Sequence, residues 1–193
     1  FASTTIYSGR KPNGKGYTTF GDGKAMVVAY SIKAAIEYHE KIQEAIAQLV
    51  QDPQYADRKD ALLKTPVLIV YTDTNQDSAR KCRTLNNGRN EEQVLTEFRR
   101  TEYKDSEGKN AIIIVVDKLL TGFDEPSLHT LFVDRGLNDV LLLQAFYRVG
   151  RIAKYKTNCL IVDFSRDNVV SSRVNGVFAK YGGMTVSQFD AMP

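Results

Sequence analysis

Three groups of side chains in this sequence have types and spacings that could do chemistry. Gln144, Arg148 and Arg151 fall within the stretch QAFYRVGR. On a helix, residues three apart share a side, so the two guanidinium groups would converge and repel unless an anion lay between them. Arginine's planar fork matches phosphate oxygens, and an arginine aimed at a transferring phosphoryl group stabilises its transition-state charge. A surface helix with scattered arginines has the same spacing, and spacing alone leaves both readings open. Upstream, Gly122 and Asp124 stand in the turn Thr121-Gly122-Phe123-Asp124. A glycine at a strand-to-helix corner admits close backbone approach; a carboxylate two residues on can orient a ribose hydroxyl, a water or another catalytic side chain. A plain turn with a capping aspartate is the alternative. Thr72-Asp73-Thr74-Asn75 are small polar residues just past an apolar run. They suit phosphate or ligand contact, and turn chemistry explains them equally well.

The elements that must position these groups follow from hydropathy. Apolar runs of strand length lie at 25–29, 66–71, 111–116, 130–133 and 158–162. Runs of this length bounded by turn residues suit strands buried on both faces. Between the first two, Ile32, Ala35, Ile36, His39, Ile42, Ile46 and Leu49 recur at three and four, one face of a long helix that Ser31 can cap. His39 on that face reads as a packed histidine, with no second ligand type near it in sequence. Glu91 to Glu102 is a second helical stretch, with Val94, Leu95 and Phe98 inward. Strands alternating with helices predict an α/β fold: an open, mainly parallel sheet with helices on both faces. Polar groups just past the strand ends are where such sheets bind ligands.

Composition narrows the class. The chain has 193 residues, 42% hydrophobic and 25% charged, and a net charge of +3, as an ordinary globular protein has. That charge permits nucleic-acid contact without arguing for it. No stretch approaches a transmembrane span, so no membrane partner is expected. The two cysteines, Cys82 and Cys159, share no metal-ligand spacing, so no metal site is expected and a reducing, cytoplasmic setting is the simple reading. Gly14-Lys15-Gly16 and Gly21-Asp22-Gly23-Lys24 do not fit the phosphate-loop spacing, and Ala25 follows the lysine where a hydroxyl is needed. They read as turns in an arm, residues 1–24, ahead of a domain spanning 25–165. Residues 166–193 are expected to form a C-terminal extension towards the rest of a longer parent chain.

The order Val115-Val116-Asp117, Gly122-Phe123-Asp124-Glu-Pro126, Val133-Asp134 and Gln144…Arg148-Val-Gly-Arg151 resembles the second RecA-like domain of superfamily 2 helicases and translocases. The TGFD corner corresponds to motif V of that superfamily, and the glutamine with its two arginines to motif VI. Within it, VVDKLLTGFDEPSLHTLFVD, QAFYRVGR and the later IVDF look like the R (HsdR-type) subunit of type I restriction endonucleases; GKAMVVAYSIKAAIEYHEKI resembles that family's motif IV. The resemblance covers roughly residues 24 to 165. It implies that Arg148 and Arg151 face the γ-phosphate of ATP held with Mg²⁺ mainly by a preceding RecA-like domain, with Gln144 positioning that network. Gly122 and Asp124 would line the same cleft, and Thr72, Thr74, Asn75 and Thr121 would face the backbone of duplex DNA. The implied partners are that preceding domain, a nuclease domain of the same chain, and modification (M) and specificity (S) subunits. Two positions depart from the pattern: Val116 stands where many relatives carry Thr or Ser, and Gly150 where R subunits often carry Asn. These residues carry no Walker A lysine, Walker B motif or nuclease motif, so the segment alone is expected neither to hydrolyse ATP nor to cut DNA. The alternatives are another superfamily 2 DNA or RNA helicase, a non-catalytic RecA-like module binding nucleic acid or a partner, and a flavodoxin-like signalling domain, which leaves the arginines unexplained.

Overall fold

The computed structural model describes residues 5–8, 24–72, 75–100, 110–118, 123–151, 159–165, 173, 176–177 and 180. The chain divides into two compact units. One is Phe20–Lys118; the other joins Phe1–Thr19 to Leu119–Pro193. β1 (Thr5–Ser8) belongs to the second unit and β2 (Lys24–Val28) opens the first. The first unit continues with α1 (Ile32–Gln51), a 3-10 segment (Pro53–Arg58), α2 (Lys59–Leu63), β3 (Val67–Tyr71), α3 (Gln76–Leu85), α4 (Glu91–Arg100) and β4 (Ala111–Val116). The second holds β5 (Leu128–Val133), α5 (Asp139–Val149) and β6 (Cys159–Asp163).

In the first unit β4 lies between β2 and β3, parallel to both, with Met26 and Leu68 each opposite Ile113. Ile113, Ile114 and Val115 are fully buried, as the unbroken apolar run requires. Each such side chain contributes about 1.5–3 kcal/mol of transfer free energy to folding. Ser31 caps α1 by accepting the Ala34 N–H at 3.1 Å, and Asn90 and Gln93 cap α4 reciprocally at 2.9 Å each way. The strands and the α1 and α4 faces lie within a residue or two of where the hydropathy pattern puts them. The class is α/β.

β3 is the outer strand of this group, and its outward backbone groups need partners other than a strand. Two buried polar side chains supply them. Asn86 accepts the Ile69 N–H at 3.0 Å and donates to the Ile69 carbonyl at 2.7 Å, standing in for a neighbouring strand. His39 places Nε2 3.2 Å from the Val67 carbonyl oxygen. The histidine on the apolar face of α1 is thus a packed one, as expected. Its burial holds its pKa below the usual value, partly offset by the hydrogen bond to Val67.

Lys24 is also buried. Its Nζ donates to the Arg99 carbonyl at 3.2 Å and lies 5.3 Å from the centre of the Phe98 ring. A cation at the C-terminal end of α4 meets the negative end of that helix, which gives Lys24 a structural task.

In the second unit β6 pairs parallel to β5 and antiparallel to β1. Part of the stretch read as an arm therefore forms a strand; Thr-Ile-Tyr-Ser is β-branched and aromatic enough to add to the edge of β6. α5 packs on β5 and β6. Asn138 caps it by accepting the Leu141 N–H at 2.9 Å.

Candidate functional site

α5 buries Leu142, Ala145 and Val149, which recur at three and four along it. The opposite side of the helix carries Val140, Gln144 and Tyr147. Val140 and Tyr147 are 55% and 60% exposed, uncommon for large apolar side chains on a packed helix. The side-chain carbonyl oxygen of Gln144 is buried and has no hydrogen-bond partner among the described residues.

Arg148 lies in the last turn of α5, where a cation meets the negative end of the helix. Its guanidinium makes no hydrogen bond or ion pair among the described residues. Arg151 is placed differently from what the spacing suggests. Two arginines on one helix face was the expectation; α5 instead ends at Val149, and Arg151 follows the cap. Gly150 is the C-cap: its N–H makes the last helical bond, to the Phe146 carbonyl at 2.7 Å, with φ −76° and ψ 0°. A Cβ at this position would stand 3.1 Å from the Phe146 oxygen, a tight contact. Freed from the helix, Arg151 bonds through Nη1 to the Asp124 carboxylate.

Of the three partners open to Asp124 in sequence, the structure shows a side chain, Arg151. Both members are solvent-accessible, at 62% for Asp124 and 40% for Arg151. Next to it, Glu125 turns the chain into β5 by accepting the backbone N–H and hydroxyl of Ser127. Gln144, Arg148, Arg151 and Asp124 thus all belong to the second unit. Gly122 and Thr121 lie outside the described residues.

Thr72 and Asn75 belong to the first unit. Thr72 is exposed just past β3. Asn75 caps α3: its side-chain oxygen accepts the Ser78 N–H at 2.8 Å, while the Ser78 hydroxyl accepts the Asn75 N–H at 3.2 Å. Turn chemistry thus accounts for the oxygen of Asn75. Thr74 lies outside the described residues. At the end of β4, Asp117 takes a left-handed backbone conformation, φ 53°, which aspartate tolerates better than most residues. Lys118 beyond it pairs with Glu91 at the start of α4 at 2.6 Å. Neither feature has a sequence signal. Among the described residues no three His, Cys, Asp or Glu side chains cluster to hold a metal ion, and no helix is long and apolar enough to cross a membrane.

A family model described as type I restriction enzyme subunit R domain 3 matches residues 21–166. The chain belongs to this family. The assignment agrees with the resemblance carried by the TGFD and QAFYRVGR segments, both of which lie inside the matched span. Among similar proteins, a Methanocaldococcus jannaschii chain named as the type I restriction enzyme endonuclease subunit MjaVIIIP is 34% identical over 145 residues, 74% of this chain and 13% of that one. The type I restriction enzyme HindI endonuclease subunit of Haemophilus influenzae is 27% identical over 146 residues, again 74% of this chain and 13% of the relative. The chain therefore spans about an eighth of the length of these relatives. A solved structure of the ATP-dependent type ISP restriction-modification enzyme LlaBIII bound to DNA is a more distant likeness: TM-score 0.45 and 13% identity, covering 81% of this chain and 10% of that one.

Proposed function

We propose that this R-subunit domain is the second, RecA-like motor domain of an ATP-driven DNA translocase in a type I restriction-modification enzyme. Its part is to present Arg148, Arg151 and Gln144 to ATP held mainly by a preceding RecA-like domain of the same chain. The single observation that carries the reading is the pairing of Arg151 with Asp124 just past a helix whose last turn carries Arg148, unpaired among the described residues, in a chain of this family.

In phosphoryl transfer the charge spreads over the oxygens of the transferring group, and the protein's task is mostly positioning and electrostatic stabilisation. Arg148 has its hydrogen-bonding capacity in hand for phosphate oxygens. Arg151 is held by a solvent-accessible carboxylate, so a more strongly charged phosphate can share it or take it over at small cost. Gln144 offers a buried acceptor on the same helix for a donor in that network. Val140 and Tyr147 supply exposed apolar surface, which supports coverage of this face of α5 by the preceding domain. ATP binding would close the cleft and hydrolysis would reopen it, moving duplex DNA past a nuclease domain. Thr72, Thr74, Asn75 and Thr121 remain the proposed DNA-backbone contacts, and Gly122 the close-approach position. The Mg²⁺ that accompanies ATP finds no cluster of ligands among the described residues to hold it, and no step is derived through it. The modification and specificity subunits are proposed partners of the whole enzyme.

The test is ATP hydrolysis by the intact parent protein with its partner subunits, with and without duplex DNA, for wild type and Arg148→Ala/Arg151→Ala. Duplex-stimulated turnover that disappears in the double variant is the expected result. Turnover unaffected by the change would refute the assignment, and stimulation by RNA in place of duplex DNA would move the domain to another superfamily 2 helicase.

A further inference from the structure

Beyond β6, in the C-terminal extension, Arg173 reaches back to the start of α5. Its Nη1 donates to the Leu137 carbonyl at 2.9 Å, and its Nη2 bonds the Asp139 carboxylate. Between these two anchor points Asn138 forms the N-cap. All three residues that set the entry of α5 are thus pinned, two of them by one guanidinium more than thirty residues away. Val177, four residues further on, is also buried, at 2% exposure.

We propose that Arg173 is a positioning residue for motif VI: the C-terminal extension clamps the head of α5 and thereby fixes where Arg148 and Arg151 stand at its far end. This rests on the reading of α5 as the arginine-bearing helix of the ATP cleft. The lever is short and stiff. Nine residues separate Asp139 from Arg148, about 14 Å at the helical rise. A tilt or slide at the clamped end is therefore carried to the guanidinium. Arginine is the side chain suited to this clamp, because its planar fork addresses a carbonyl and a carboxylate at once where lysine offers a single point charge.

The test uses the intact parent protein with its partner subunits and compares Arg173→Ala, Arg173→Lys and Arg151→Ala. The readouts are kcat and KM for duplex-DNA-stimulated ATP hydrolysis, with kcat expressed per nucleotide-binding site. A displacement of about 1 Å at a reacting group costs up to about 100-fold, so Arg173→Ala is expected to lower kcat roughly 10-fold. KM for ATP should stay within about twofold, because the interaction lost is one made in the transition state. Arg173→Lys should recover part of the loss through its charge on Asp139, and it carries the test should the alanine variant not fold. A merely stabilising clamp would lower the thermal midpoint and the number of binding sites while leaving kcat per site at wild type; that result overturns the proposal. Should Arg151→Ala also turn over at the wild-type rate, the reading of the ATP cleft fails first, and the clamp's role in it falls too. Loss in Arg151→Ala beside wild-type kcat in both Arg173 variants overturns the clamp alone.

Discussion

The pairing of Asp124 with Arg151 makes a quantitative prediction. If Asp124 acts only by orienting Arg151, its removal can cost no more than the free energy of that pairing. Both side chains are solvent-accessible, 62% and 40%, and one nitrogen meets one oxygen. An exposed pair of this kind is worth about 0.2–1 kcal/mol. At about 1.36 kcal/mol per factor of ten, Asp124→Ala should lower kcat by at most roughly fivefold. Removal of an arginine finger costs on the order of 10³-fold or more, so Arg151→Ala should be far more damaging. The discriminating measurement is a double-mutant cycle on kcat of duplex-stimulated ATP hydrolysis in the intact enzyme. Once Arg151 is absent there is nothing left to orient, so Asp124→Ala should then have no further effect. Two results refute the reasoning. An Asp124→Ala loss as large as that of Arg151→Ala would mean that the carboxylate touches the nucleotide itself, for instance a ribose hydroxyl. Fully additive losses would mean that the two residues act independently.

Two predictions concern the first unit. His39 is held neutral by burial, so its folded pKa lies below its ordinary 6.5. Below that pH the unfolded chain takes up a proton that the folded chain refuses, and stability should therefore fall as pH drops from about 6.5 towards the folded pKa. The urea midpoint of wild type should fall between pH 7.5 and 5.5 more than that of His39→Gln, which keeps a donor for the Val67 carbonyl but does not titrate; parallel pH dependence in both would sink the idea. Asn86→Ala leaves the Ile69 N–H without its partner on a buried edge, while the Cys82 thiol stays 3.5 Å from the Ile69 carbonyl oxygen; the loss should cost about 1–3 kcal/mol in urea denaturation. A cost below about 0.5 kcal/mol would show that water or a neighbouring chain serves that edge as well as the side chain does.

Much of the scaffold was legible from the amino-acid order because its causes are local. A strand buried on both faces needs an unbroken apolar run, and Ala111–Val116 is one. A helix start needs a side chain to take its free N–H groups, and Ser31 stands where that signal belongs. The motif pattern from Gly122 to Arg151 pointed to the R-subunit family, and the match over residues 21–166 bears that out. The sites were less legible. Arginine spacing suggested one helix face, but α5 ends at Val149 and Arg151 stands past its cap, where it meets a carboxylate 27 residues away.

What the sequence by itself determined is therefore the α/β class, the placing of the strands and of the α1 cap, and the family. Tertiary structure decided which polar groups meet. Lys24 next to a glycine-rich stretch proved to be a buried cap for α4, His39 and Asn86 became the partners of the β3 edge, and Arg173 became the clamp on α5. The physical reason is one of range. Hydropathy and capping act between residues a few positions apart, so their signals are written into neighbouring letters. A hydrogen bond or ion pair between distant residues depends on where two separately formed elements come to rest, and no local pattern records that.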